Sequence, residues 1–275
     1  LGQIHVMLEN PEAAIRAYEA LLTLSNTPEK EIQYLHFLVN LHVEIQDYVA
    51  ALEYAQRWGE LDPENPDVQE MIGKLHLHTG GEEEAMAQME KVMEMNPEDF
   101  ATLEDLADMY RDRGMPKKGF EAYERLHRHD PENFLYLDYL LGLGMTLGRS
   151  KDFRRGILHK MLALQADNLS VIEQLADETG SLTMVNRGLK IDPGNGKLNY
   201  MKGEHYYKKW KSTSSDQDSV RAMAWYRKAK RDPQWRGNAQ RMIDEIDPPL
   251  TEEEKKLQEF FKKKKKEEVN IKGKK

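Results

Sequence analysis

Nine histidines are the side chains here best suited to metal binding or proton transfer, and four of them fall in two close pairs, His76-x-His78 and His127-x-His129. On a helix each residue turns the chain by about 100°, so residues two apart point about 200° apart and neither pair converges on one ion. Adjacent carboxylates such as Glu104 and Asp105 likewise diverge, and on a solvated helix face they do not form the opposed pair that acid and base catalysis needs. The runs Glu82-Glu83-Glu84 and Glu252-Glu253-Glu254 stand where helices begin, and the helix dipole accounts for them. No Gly-rich phosphate loop, no His-Glu-x-x-His and no nucleophile elbow is present. With no cysteine, thiol catalysis, Cys-ligated metal sites and a disulfide framework are excluded as well. We therefore expect a non-enzyme with no catalytic residue, no cofactor and no metal.

Composition narrows the class of partner. Of 275 residues, 39% are hydrophobic and 32% charged, with a net charge of −8 and a mean hydropathy of −0.77. Residues 251–275 hold ten Lys against six Glu, so residues 1–250 carry about −12. An acidic body with a basic tail makes nucleic acid a poor expectation. No run of eighteen apolar residues and no signal segment occurs, so no transmembrane segment is expected, and the sequence fits a cytoplasmic or, after loss of a leader, periplasmic setting. The chain opens at Leu1 without Met, and Leu1-Gly2 already falls inside the period described next, as in a fragment or processed product.

Four Pro-centred segments recur: Leu61-Asp62-Pro63-Glu64-Asn65, Met95-Asn96-Pro97-Glu98-Asp99, His129-Asp130-Pro131-Glu132-Asn133 and Ile191-Asp192-Pro193-Gly194-Asn195. Pro63, Pro97 and Pro131 stand 34 residues apart. Ten residues after Pro63, Pro97 and Pro193 comes a small residue, Gly73, Ala107 or Gly203. Twelve beyond the first two lies another, Ala85 or Gly119, and four further on an apolar or aromatic side chain, Met89 or Tyr123. Small residues let two antiparallel helices approach, and large ones three or four positions away fill the flanks. The stripe Phe100, Leu103, Leu106, Ala107, Tyr110 thus faces Phe120, Tyr123, Leu126. Gly80-Gly81 and Gly114-Met115-Pro116 supply turns within hairpins, and Met71, Met89, Met93, Met95 and Met109 read as core filler.

A 34-residue helix–turn–helix period with these Gly, Ala, Tyr and Pro placements resembles the tetratricopeptide repeat family. The resemblance implies an all-α solenoid of about seven repeats over residues 1–247, the first truncated, followed by a charged tail at 248–275. Departures begin after residue 133. The repeat from Ala166 to Pro193 spans only 27 residues, about two helical turns short. The 40 residues from Pro193 to Pro233 hold a surplus that we assign to a polar loop, Lys211–Asp218. Trp235 to Ile246 reads as a capping helix. Beyond Pro249 a capping box, Thr251 with Glu254, predicts one more helix bearing Leu257, Phe260, Phe261 and Lys262 to Lys266.

In this family the first helix of each pair lines a concave groove. Transferred by register, the inward positions are Gln33, His36, Phe37 and Asn40; Glu70, Met71 and Lys74; Glu104, Asp105, Asp108, Arg111 and Asp112; Tyr136, Tyr139, Leu140 and Leu143; and Tyr200, Met201, Glu204, Tyr207 and Lys208. The Lys, Arg and Asn cluster with which some members grip an acidic C-terminal peptide is represented only by Asn40 and Lys74. The expected function is a protein–protein scaffold or adaptor. Its partner is a protein or peptide segment with basic and apolar residues, held by Glu104, Asp105, Asp108 and Asp112 and by Tyr136, Tyr139, Tyr200 and Tyr207, between the fourth and last repeats. Two other readings are a carrier of a small apolar ligand or lipid, and attachment to an anionic surface through the tail. Composition does not fix the oligomeric state.

Overall fold

The computed structural model describes residues 10–249, and among them the regular structure is fourteen α-helices with no strand. The chain divides into two compact units, with the boundary between Ser150 and Lys151. Unit 1 holds α1 (Pro11–Thr23), α2 (Pro28–Glu44), α3 (Tyr48–Leu61), α4 (Pro66–Thr79), α5 (Glu82–Met95), α6 (Phe100–Asp112), α7 (Pro116–His129) and α8 (Phe134–Thr146). Unit 2 holds α9 (Lys151–Leu164), α10 (Leu169–Thr179), α11 (Leu182–Ile191), α12 (Gly196–Thr213), α13 (Asp216–Ala229) and α14 (Arg236–Ile246). Within each unit every helix packs on the next, so the architecture is tandem helix–turn–helix hairpins. The sequence period counts α8 and α9 as one repeat, and the division between units falls between them. The tail helix expected at Thr251–Lys266 lies outside the described residues.

The helix boundaries follow from local chemistry. Side chains of Asn10, Thr27, Asp47, Asn65, Asp99, Asn133, Asn168, Ser181 and Asn195 each accept from a backbone N–H in the first turn of the helix that follows. Each cap fills one of the donors that a helix start leaves open. Proline at the start of α1, α2, α4 and α7 loses nothing there, since its missing N–H has no intrahelical partner. Gly80 ends α4 at φ 84°, a left-handed conformation that lets its N–H return to the last turn.

The predicted stripes are core. Leu103, Leu106, Ala107 and Tyr110 on α6 and Phe120, Tyr123 and Leu126 on α7 are all buried. Met89 and Met93 are buried too, while Met71, Met95 and Met109 are half-buried. The short repeat is built from α10 and α11, of eleven and ten residues, and α14 caps unit 2 through Ala239 and Met242 against Ala222, Tyr226 and Ala229.

The loop expected over Lys211–Asp218 is not there. Helix α12 runs eighteen residues to Thr213 and α13 starts at Asp216, leaving only Ser214, at φ 54°, and Ser215 as the turn. Polar residues that compete with helix elsewhere are accommodated here, because the hydroxyls of Ser212 and Thr213 donate back to the Lys209 carbonyl at 2.8 and 2.9 Å. The extra residues of this repeat lengthen its first helix, α12, by about one turn, while α13 keeps fourteen residues.

One hairpin of unit 2 is packed tightly at a glycine. A Cβ at Gly203 would stand 2.6 Å from the ring of Tyr226, which is fully buried. A Cβ at Gly73 would meet its nearest neighbours at 3.5 Å, ordinary contact. Gly203→Ala is therefore expected to destabilise unit 2 by about 1–3 kcal/mol through overpacking. Gly73→Ala should be neutral or stabilise by up to about 1 kcal/mol, through helix propensity. Urea unfolding of the two variants checks this, and equal effects would contradict the packing described.

Candidate partner-binding site

The expected site residues on α6 and α8 come together in unit 1, but few of them stand free. The Tyr136 hydroxyl donates to Glu104 at 3.0 Å, spanning α8 to α6. Arg111 pairs with Asp108 at 2.5 Å and with Asp112 at 3.0 Å. It also donates to the Tyr123 hydroxyl at 2.9 Å and lies 4.3 Å from the Tyr139 ring centre. Tyr123 in turn donates to Asp108, and its ring is 4.7 Å from that of Tyr139. Asp108, Arg111, Asp112, Tyr123 and Tyr139 thus form one interlocked group in which a guanidinium joins two carboxylates and two tyrosines.

Asp105 is the exception. It is exposed and accepts no hydrogen bond from another described residue, and its carboxyl pKa is raised. Partial burial is the first cause; nearby Lys74 opposes it, and the carboxylates of Glu104, Asp108 and Glu70 add to it. Lys74 itself is bonded to Glu70 on α4. The face formed by α4 and α6 therefore carries five carboxylates against two cations, with Asp105 as the group least neutralised.

The Tyr123–Asp108 link is one of a series. Tyr54 on α3 donates to Glu19 on α1 at 3.0 Å, Tyr110 on α6 to Glu90 on α5 at 2.6 Å, and Tyr226 on α13 to Glu204 on α12 at 2.7 Å. Tyr207 on α12 donates to Glu245 on α14. Burial, reinforced by the carboxylate partner, pushes Tyr54 and Tyr136 up to about 12 and Tyr110, Tyr123 and Tyr226 further in the same direction. Asp108 and Tyr123 had not been paired from the sequence, yet a signal existed. Tyr123 and Tyr226 occupy the repeat position that Met89 fills, and a tyrosine buried there must find an acceptor for its hydroxyl. The residue after the small one, Asp108 or Glu204, supplies it.

Tyr200 and Tyr207 belong to unit 2. Tyr200 packs 5.4 Å from Tyr226 and 5.0 Å from Trp235. It lines a cleft of about 340 Å³ with Leu182, Val185, Met201, Glu204 and Trp235. Tyr207 packs against Trp210, with Lys211 over its ring. A second cleft, about 390 Å³, lies in unit 1 between α5 and α7 over Leu103, Leu106 and Tyr110. Glu90 at its rim accepts from Lys118 and Tyr110, both at 2.6 Å, which holds its carboxyl below the usual range. Of the inward positions assigned by register, Leu140 and Tyr136 are buried, so Tyr136 acts by holding Glu104 in place. Histidines of the two close pairs are engaged in packing: His78 stacks on Tyr48 at 4.2 Å and His129 on Phe100 at 3.6 Å. Among the described residues no helix is long and apolar enough to cross a membrane.

Residues 66–99, which span α4 and α5, match the tetratricopeptide repeat family. No curated protein matches the sequence. Among solved structures, the Naa15/Naa10 complex bound to HypK-THB is similar at a TM-score of 0.61 and 12% identity over 89% of this chain. The chain spans 37% of that structure's length, and the likeness is one of fold. The MamA crystal structure gives 0.47 at 18% identity, covering 62% of this chain and 97% of its own. A tetratricopeptide repeat protein from Parabacteroides merdae gives 0.48 at 13%, covering 89% and 95%.

The interlocked group predicts coupled energetics. Asp108→Ala leaves the proton of the buried Tyr123 hydroxyl without its acceptor and should destabilise unit 1 by about 1–3 kcal/mol, whereas Tyr123→Phe removes donor and need together and should cost less. The double variant is expected to fall short of the sum, a non-additivity that denaturant titrations of all three measure. Additive effects would show that the hydroxyl and carboxylate do not act as a pair.

Proposed function

We propose that this tetratricopeptide-repeat chain is a non-catalytic scaffold, and that the acidic face of α4 and α6 in unit 1 holds a partner segment carrying Lys or Arg beside apolar residues. The observation that carries the reading is Asp105. It is an exposed carboxylate whose pKa is raised first by partial burial and then by Glu104, Asp108 and Glu70, on the same helix as the Arg111 that fixes a tyrosine group. A cation arriving there relieves repulsion that the free protein sustains. Neighbouring Tyr139, half-buried and already ordered by Arg111, offers contact area at little cost in conformational freedom. In unit 2 the cleft beside Tyr200 is floored by Leu182, Val185 and Met201 and suits an apolar side chain of a partner. Asp108 and Tyr136 support this surface as positioning residues, since their polar groups are turned to Arg111, Tyr123 and Glu104.

Exposed charge pairs are worth about 1 kcal/mol or less and are screened over about 8 Å at physiological salt, so the carboxylates should govern encounter while the tyrosines govern release. Partners captured by the full chain and narrowed to labelled peptides test this. Asp105→Lys should mainly slow association and flatten the salt dependence, and Tyr139→Ala should mainly speed dissociation. The sign with pH follows from linkage. A bound cation lowers the raised pKa of Asp105, so affinity is present above the carboxylate range and is lost as pH falls through it. Asp105→Asn should remove that part of the pH slope. If the two binding variants behave as wild type while substitutions in the α5–α7 cleft abolish capture, the assigned face is wrong.

A further inference from the structure

In a body of net charge about −12, helices α12 and α13 of unit 2 run against the trend, with eight Lys and Arg against three Asp and Glu. Much of this charge is gathered on one side of the hairpin. Lys202, Tyr206 and Lys209 follow helical spacing along α12, and Asp218, Arg221, Trp225 and Lys228 follow it along α13. The antiparallel register brings the two stripes together. The Lys202 and Lys228 ammonium groups lie 4.0 and 3.9 Å from the Trp225 ring centre, the Arg221 guanidinium 5.7 Å from that of Tyr206, and Lys209 3.3 Å from Asp218.

The carboxylates are unevenly matched to this group. Asp218 is 4% exposed and pairs with both Lys209 and Arg221. Glu204 is turned to Tyr226, and Asp216 sits in the first turn of α13. No described carboxylate pairs with Lys202 or Lys228; two ammonium groups are held against one indole with nothing of opposite sign between them. Partial burial, with repulsion from Lys228 adding to it, draws the Lys202 pKa below the usual range. The indole attracts both cations, but the repulsion between the two ammonium groups remains in the isolated chain, and an arriving anion lowers it.

We propose that this α12–α13 face is a second docking surface, for an acidic segment of a partner protein, with Lys202 and Lys228 as its central contacts and Lys209 and Arg221 extending it. The stripe on α13 from Asp218 to Lys228 is about 15 Å long, enough for four or five extended residues. The chemistry favours carboxylates over a nucleic acid strand. Single-strand binding depends on bases stacking on open aromatic rings, whereas Trp225 and Tyr206 are already covered by cations. Here the rings hold the cations in place.

The probe is a fluorescein-labelled twelve-residue Asp- and Glu-rich peptide, titrated with the full chain and followed by anisotropy at low and physiological salt. Binding that weakens with salt is expected, about tenfold weaker in the Lys202→Gln, Lys228→Gln double variant at unchanged helicity and melting temperature. Trp225→Leu, which keeps both charges but frees them, should also weaken it. Asp105→Lys, in the other unit, should leave it unchanged, which separates this surface from the one proposed above. Absence of binding at low salt, or affinity indifferent to the double variant as when the lysines of the tail do the binding, overturns the proposal. Tighter binding of a single-stranded oligothymidine of equal charge overturns it in favour of nucleic acid.

Discussion

Where two helices of a hairpin cross most closely, one gives up its side chain and the other covers the gap with a ring. That exchange sets much else in this molecule. Tyr226 lies over Gly203, and Tyr123 fills the matching place between α6 and α7. A ring in that position carries its hydroxyl into the interior, where an unbonded oxygen is costly, so the next residue along the opposite helix has to be an acceptor. Asp108 and Glu204 meet the demand in the two units. Where methionine fills the place, as at Met89, there is no hydroxyl to satisfy, and the residue after Gly73 is a lysine free to bond Glu70. Core packing thereby decides the charge shown on the adjoining surface.

This coupling changes how the acidic face should be read. Carboxylates on a helical repeat are easily taken for solubilising charge, or for a row of equivalent contacts. Here they differ in kind. Glu104 and Asp108 are turned to tyrosines of neighbouring helices, Asp112 shares Arg111 with Asp108, and Asp105 keeps its charge outward. The two units also differ in sign, with an acidic surface on α4 and α6 and a basic hairpin at α12 and α13.

Much of the architecture was legible because repeats state their rules several times. The spacing of Pro63, Pro97 and Pro131, the small residues at 73, 85, 107 and 119, and the Gly80 and Gly114 turns all recur in the structure as drawn. What escaped depends on partners far apart in sequence. Tyr136 finds Glu104 across 32 residues and Tyr207 finds Glu245 across 38, so neither carboxylate could be recognised as engaged from its own neighbourhood. The polar run Lys211–Thr213 misled for the opposite reason. Its composition matches a loop, while hydroxyl bonds to the Lys209 carbonyl keep it helical. The Lys202, Trp225 and Lys228 cluster was hidden because Trp225 and Lys228 stand 23 and 26 residues beyond Lys202, on the other helix of a hairpin whose first helix runs to eighteen residues.

The caps carry one more implication. Because Asn65, Asp99, Asn133, Asn168 and Asn195 each close the helix that follows them from within the linker, the instruction to begin a helix travels with the linker and asks nothing of the helix interior. Helix length is then an independent variable. The pair α10–α11 has lost about two turns and α12 has gained about one, yet both pairs keep their starting caps or turns. A chain written this way tolerates heritable changes of length in steps of a turn, because each step returns the apolar stripe to the same side and leaves the punctuation intact.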